Sequence, residues 1–275
     1  MNLLAGHGQA LREGVLLVAR HRRLAVEMAR REIGDRYSGQ AFGVLWAIGH
    51  PLFLLSVYAV VFGLVFRTKL GGTYEMPLDY TAYLLSGLIP WMGFQESMTR
   101  SCSSITGSAP LVKQMVFPLE VLPVRGVLVA TFTQSVLLLL LAAYVLATTG
   151  GLHVTYLLVP LLLALQVLAM IGVAFLFSAT SVFLRDLKDF VQLFCLAGMY
   201  LVPAFYLPAW VPDSFKPLLY LNPFSYLVWC YQDALYFGRI EHPWAWVVTA
   251  VGSVAVFVLG YRVFRRLKPA FGNVL

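Results

Sequence analysis

The chain has 275 residues, of which 60% are hydrophobic and 12% charged, and a formal charge of +7. Charged residues are about half as frequent as in an ordinary soluble domain, which excludes a water-solvated globular enzyme. The placement of the positive charge also argues against a nucleic-acid partner. Arg12, Arg20, Arg22, Arg23, Arg30, Arg31 and Arg36 crowd ahead of the first apolar run, where basic residues mark the cytoplasmic side of a membrane and its anionic lipids.

Residues 11–33 read as a helix, within an interface segment spanning 11–40. Arg12, Arg23 and Arg30 fall on one face, and Leu17, Leu24 and Met28 on another. This pattern suits an amphipathic helix lying on the cytoplasmic membrane surface. No long apolar core with a small-residue cleavage site precedes it, so no signal peptide is expected. The spans follow as uncharged runs. Gly43–Phe66 is the first, and Tyr80–Gln95, extended past Glu96 toward Arg100, the second. From Gly126 to Leu184 there is no Asp, Glu, Lys or Arg, a stretch long enough to cross a bilayer twice at about 20 residues per crossing. Gly150 and Gly151 interrupt it and predict a hairpin of spans three and four, Gly126–Thr149 and Leu152–Leu184. Phe190–Pro212 is the fifth span and His242–Tyr261 the sixth. The apolar stretch Pro217–Gln232 follows Pro208, Pro212 and Pro217 and is short for a crossing. With six spans, sixteen of the 20 Lys and Arg stay on one side; a seventh would put the basic C-terminus opposite the basic N-terminus. The expected fold is therefore all-α, with six transmembrane helices in one domain, both termini cytoplasmic, and residues 209–241 re-entrant at the outer face.

What is missing narrows the chemistry. The centres of the spans carry no ionisable residue, which argues against ion-coupled transport. The five histidines are isolated, so no metal site is expected; His50, ahead of Pro51, reads as packed or hydrogen-bonded to backbone. No Gly-x-x-x-x-Gly-Lys-Ser/Thr loop exists, so any ATP must be bound by a partner. Cys102, Cys195 and Cys230 form no close pair. What is present is aromatic: Tyr58, Phe62 and Phe66 recur every four residues in span one, and span five carries Phe194 and Tyr200. Aromatic faces pack against the CH faces of sugar rings while tyrosine hydroxyls bond their hydroxyls. The polar stretch from Arg100 to Pro110 can form one or two helical turns projecting from spans two and three, a lever for a cytoplasmic partner.

Four stretches carry a resemblance to a family. They are Arg31-Glu-Ile-Gly-Asp-Arg36-Tyr37 followed by Gly43-Val-Leu-Trp46 and Pro51; Leu111-Val-Lys113-Gln-Met-Val-Phe117-Pro118; Arg185-Asp186-Leu187; and Leu221-Asn222-Pro223-Phe224. In order and spacing they resemble the membrane subunit of type-2 ABC exporters of polysaccharides, including the O-antigen, teichoic-acid and capsule exporters. The resemblance implies a homodimer in the bacterial inner membrane, each copy bound to a cytoplasmic nucleotide-binding ATPase subunit that holds ATP and Mg, with no cofactor in this chain. It places a coupling helix within residues 100–118, with Ser101, Ser104, Thr106, Ser108 and Lys113 as docking candidates. It places gate helices within 209–241, with Tyr220, Asn222, Phe224 and Trp229, and a channel lined by Tyr58, Phe62, Phe66, Phe194 and Tyr200. The cargo it implies is a polyprenyl-diphosphate-linked polysaccharide, O-antigen foremost, whose diphosphate would meet Arg31 and Arg36. Teichoic acid, capsule, and a smaller lipid or drug stay open as cargoes. An alternative of another class is a non-transport membrane protein of envelope polysaccharide synthesis, which would need a buried cluster of acid, His or Cys residues.

Overall fold

The computed structural model describes residues 3–40, 42–61, 78–112, 117–208 and 211–274. Among them every regular element is helical: α1 (Leu3–Arg20), α2 (Arg22–Tyr37), α3 (Trp46–Val60), α4 (Tyr80–Ser104), α5 (Ala109–Val112), α6 (Val121–Thr149), α7 (Val159–Ser181), α8 (Leu187–Leu201), α9 (Lys216–Leu221), α10 (Pro223–Gln232), α11 (Pro243–Leu267) and α12 (Phe271–Val274). Three stretches among the described residues are long and apolar enough to cross a membrane: Val121–Thr149, Val154–Ser181 and Pro243–Ala270. The predicted hairpin is where the sequence put it. Gly150 closes α6 with φ 75°, and its N–H donates to Leu146 O at 2.9 Å, the left-handed cap that favours glycine.

The bundle is organised around α4. It is buried on nearly every face from Thr81 to Trp91, and it continues past Glu96 and Arg100 as expected, packed by α6, α7, α8 and α10. The tightest crossing is between α7 and α11. A Cβ on Gly260 would lie 1.9 Å from Gly172 O, and one on Gly172 would lie 2.6 Å from the backbone of Phe257. Small residues let two membrane helices touch backbone to backbone where no hydrophobic effect drives them together.

The amphipathic segment is two helices, not one. The break is at His21, whose N–H and Nδ1 both contact Leu17 O, at 3.2 and 3.1 Å. Arg12, Arg23 and Arg30 stay exposed, as their shared face predicts. The face in closest contact is made of small residues: Ala10 and Gly14 on α1, Ala25 and Ala29 on α2. Gly14 seats α1 against Phe257 and Tyr261 of α11, while α2 packs on α6. Leu17, Leu24 and Met28 flank this seam, half-buried.

The fifth predicted span ends early. α8 stops at Leu201, and the described residues beyond it, 202–208 and 211–215, form no α-helix, although the sequence up to Pro212 stays apolar. An irregular backbone at membrane depth needs its carbonyls satisfied. Side chains supply that here. Tyr206 OH donates to Tyr200 O and Asn222 Nδ2 to Leu201 O. Gln232 Nε2 donates to Pro203 O at 2.8 Å, Tyr80 OH to Phe205 O, and Tyr83 OH to Tyr206 O at 3.2 Å. The segment is held by α4 from one side and by Asn222 and α10 from the other.

Candidate functional site

At the end of the bundle that carries α2, five charged side chains interlock. Arg100 Nη1 lies 2.6 Å from Glu32 Oε1, and its Nη2 lies 2.7 Å from Glu96 Oε1. Arg36 Nη1 reaches the same Glu96 oxygen at 3.2 Å. Arg125 Nε sits 2.7 Å from Glu32 Oε2, an ionic contact outside hydrogen-bond angles. Three arginines share two carboxylates, so the cluster keeps a surplus positive charge and joins α2, α4 and α6. Arg36 thus sits in the network, whereas Arg31 is 85% exposed and pairs only loosely with Asp35, at 3.8 Å.

Beside the cluster a cavity of about 400 Å³ opens between α3, α4 and α6. Arg36, Arg100, Glu96 and Thr99 line its charged side, and Gln134 its back. His50 also lines it and is exposed, so of the two readings, packed or hydrogen-bonded to backbone, the packed one does not hold. Gln134 is fully buried in the bundle and donates to Gln166 Oε1 at 2.7 Å; Gln166 in turn donates to Pro90 O at 2.9 Å. Gly93 makes this possible, since a Cβ there would fall 2.0 Å from Gln134 Oε1.

The docking candidates separate by exposure. Ser101 and Ser104 are buried, their hydroxyls donating to Ser97 O at 2.6 Å and Ser101 O at 2.9 Å, and Ser108 is buried as well. Ser103, Thr106, Gly107 and Pro110 form the exposed surface of this turn. Lys113 lies outside the described residues, as do Phe62 and Phe66. Of the remaining channel candidates, Tyr58 on α3 is half-buried. Tyr200 is 61% and Phe194 37% exposed, on a face of α8 that also presents Phe190, Leu193 and Leu196.

The gate candidates lie together near the opposite end. Phe224 packs edge-on to Trp91 and Phe94, with centroids 5.1 and 5.0 Å away. Tyr220 lies 5.5 Å from Trp229, which is buried. Asn222 turns the chain between α9 and α10: its Oδ1 accepts from Phe224 N at 3.1 Å while its amide donates to Leu201 O at 3.1 Å. We expect Asn222→Ala to lower stability by about 1–2 kcal/mol, with Asn222→Asp in between because it keeps the cap and loses the donor. Thermal unfolding in detergent reads this; identical midpoints for all three proteins would refute it.

Residues 24–236 match the family model of the ABC-2 type transporter, most of the chain. The chain belongs to the ABC-2 type transporter family. Its relatives are similar along nearly their whole length. The O-antigen export system permease protein RfbA of Klebsiella pneumoniae is 28% identical over 254 residues, covering 92% of this chain and 95% of the relative. RfbA of Myxococcus xanthus is 26% identical over 257 residues, with the same coverage. The polysialic acid transport protein KpsM of Escherichia coli is 22% identical over 243 residues, covering 87% and 92%.

Within this ABC-2 transporter chain, two groupings escaped the sequence. The Glu32–Glu96–Arg100–Arg125 network left only the i, i+4 pair Glu96 and Arg100 as a signal. The second is Asp233, fully buried on a π-helical turn, Asp233–Phe237. Its carboxylate accepts from His242 Nδ1 at 2.8 Å, His242 N at 3.1 Å and Trp246 Nε1 at 3.0 Å. His242 is therefore not isolated. Its partner is nine residues away, across a turn that no local pattern announces.

Proposed function

We propose that this chain is the membrane subunit of an ATP-driven exporter that moves lipid-linked polysaccharide, most specifically O-antigen, across the bacterial inner membrane. The observation that carries this reading is the end-to-end similarity to two proteins named O-antigen export permeases. In this reading two copies form the channel, and each docks on a separate cytoplasmic ATPase subunit that holds ATP and Mg. The chain crosses six times, with α3, α4, α6, α7, α8 and α11 as spans, both termini cytoplasmic, and α9 and α10 re-entrant at the outer face. The exposed apolar face of α8, with Phe194 and Tyr200, is the surface that meets the channel and the second copy.

The polyprenyl diphosphate would approach from the basic end. Arg36 and Arg100 at the mouth of the 400 Å³ cavity have the charge and the planar donors that phosphate oxygens pair with. Arg31, on the exposed side of α2, would meet the headgroup at the membrane surface before the cavity.

Coupling falls on the turn after α4. A push there reaches the bundle because Ser101, Ser104 and Ser108 are built into it, while Ser103 and Thr106 face outward. Closure of the ATPase opens a path only if the ATPase binds the two states with different affinity. The experiment is Ser103→Arg/Thr106→Arg in cells lacking the native gene. Expected is normal membrane abundance, loss of surface polysaccharide, and loss of co-purification with the ATPase subunit. Export at the native rate with the double variant would overturn the assignment.

A further inference from the structure

A second cavity, of about 350 Å³, lies near the end of the bundle opposite the charge network. That volume falls in the roughly 300–1,000 Å³ range of small-molecule sites. Its lining combines hydrogen-bonding side chains of both signs with flat apolar surface. Tyr83 and Gln232 contribute from α4 and α10, Arg239, Glu241 and His242 from the turn before α11, and Trp229 from α10.

Charge narrows the ligand. Arg239 and Glu241 neutralise each other, Nε to Oε1 at 2.6 Å. The negative charge of Asp233 is covered by three donors. No surplus charge is left to recognise a phosphate or an ammonium, in contrast to the three arginines on two carboxylates at the other end.

Donor and acceptor roles narrow it further. Asp233 holds the Nδ1 side of His242; with the proton on Nδ1, Nε2 is left as an acceptor. The Trp229 indole, stacked on the His242 ring at 5.5 Å and 9°, adds flat apolar surface beside that acceptor. A ligand hydroxyl supplies the neutral donor that this nitrogen accepts. Tyrosine and tryptophan surfaces beside such hydroxyl partners suit the CH faces of a pyranose.

We propose that this cavity is a saccharide subsite at the outer mouth, binding one neutral sugar unit of the emerging polymer. The proposal rests on the exporter reading and adds to it a site distinct from the candidate channel lining. The Asp233 and His242 pair acts there as a positioned acceptor.

The test uses the chain with its ATPase subunit in nanodiscs, and the probes are methyl α-mannoside and methyl β-galactoside, with methyl glucuronide as the charged comparison. Saturation-transfer NMR and tryptophan fluorescence report binding. At least one neutral glycoside is expected to bind saturably and more tightly than the glucuronide. His242→Phe, which keeps the stack on Trp229 and removes both ring nitrogens, should weaken it about tenfold or more, as should the cavity-filling Leu207→Phe. If His242→Phe does not assemble, Glu241→Ala at the partly exposed rim carries the test and should weaken binding several-fold. Absence of binding by both neutral probes, or unchanged affinity in assembled variants, overturns the subsite. Polymer export by the wild type is scored in parallel: if the wild type exports none, the exporter reading fails; if it exports and the variants bind and export like it, the subsite alone fails.

Discussion

Gly260→Val should leave almost no folded protein, and Gly260→Ala should lose about 3 kcal/mol or more. Gly260 and Gly172 bring α11 and α7 into backbone contact, and the added Cβ would meet Gly172 O at 1.9 Å. The obstacle is a main-chain carbonyl inside a helix, so it cannot rotate aside as a side chain can. The two longest packed surfaces in the bundle would have to separate. Overpacking in a core costs roughly 1–3 kcal/mol even where side chains can adjust, and a whole domain is stable by only about 5–15 kcal/mol. Gly252, on the same helix, has nothing within 4 Å of a built Cβ. Gly252→Ala should therefore change little, within about 0.5 kcal/mol. Size-exclusion profiles of fluorescently tagged protein and thermal midpoints separate the two positions. Equal behaviour of the Gly260 and Gly252 variants would sink the account.

Glu32→Gln should destabilise the basic end by on the order of 2 kcal/mol, between the value of an exposed pair and that of a buried one. Glu32 is the carboxylate shared by Arg100 and Arg125, at 2.6 and 2.7 Å. Neutralising it leaves two guanidinium groups facing each other with only Glu96 nearby, which Arg36 also uses. The loss should loosen α2 from α6 at this end, because among the described residues Glu32–Arg125 is the one charge pair between those helices. Arg125→Gln in the Glu32→Gln background removes one surplus charge and should restore part of the stability. A double-mutant cycle on thermal unfolding reads the coupling. Strict additivity would show that Glu32 acts on each arginine independently and that the cluster is no network. High salt should weaken the native protein's advantage only modestly, since these side chains are mostly less than one-third exposed.

Several features were legible in the sequence because local chemistry alone decides them. The hairpin at Gly150 needs only a charge-free run and a residue that tolerates positive φ. The continuation of α4 through Glu96 and Arg100 is visible because an i, i+4 pair of opposite charge supports a helix even where it leaves apolar surroundings. The early end of α8 is hidden from hydropathy, since the residues after Leu201 are as apolar as those before it; its local signal is Pro203, which holds Val202 extended at ψ 146°. The carbonyls freed there are held by Tyr80, Tyr83, Asn222 and Gln232, two of them more than a hundred residues away in the chain. The burial of the docking serines was hidden for a related reason. A serine-rich stretch reads as solvated loop, yet Ser101 and Ser104 satisfy their hydroxyls on carbonyls three or four residues back and so can sit inside the bundle. The two candidate cavities were invisible because each is assembled from helices that only packing brings together.

α4 has one more consequence. It is 25 residues long, about 37 Å at the helical rise. One tip emerges at the turn bearing Thr106; the other, through Tyr80 and Tyr83, grips the broken stretch beyond α8. In the coupling reading proposed above, a displacement applied at that turn would be handed along this single connecting rod to the other end without a relay of separate parts. At Pro90 the ring removes one rung of its ladder, and Gln166 Nε2 bonds the Pro90 carbonyl as a brace at that point.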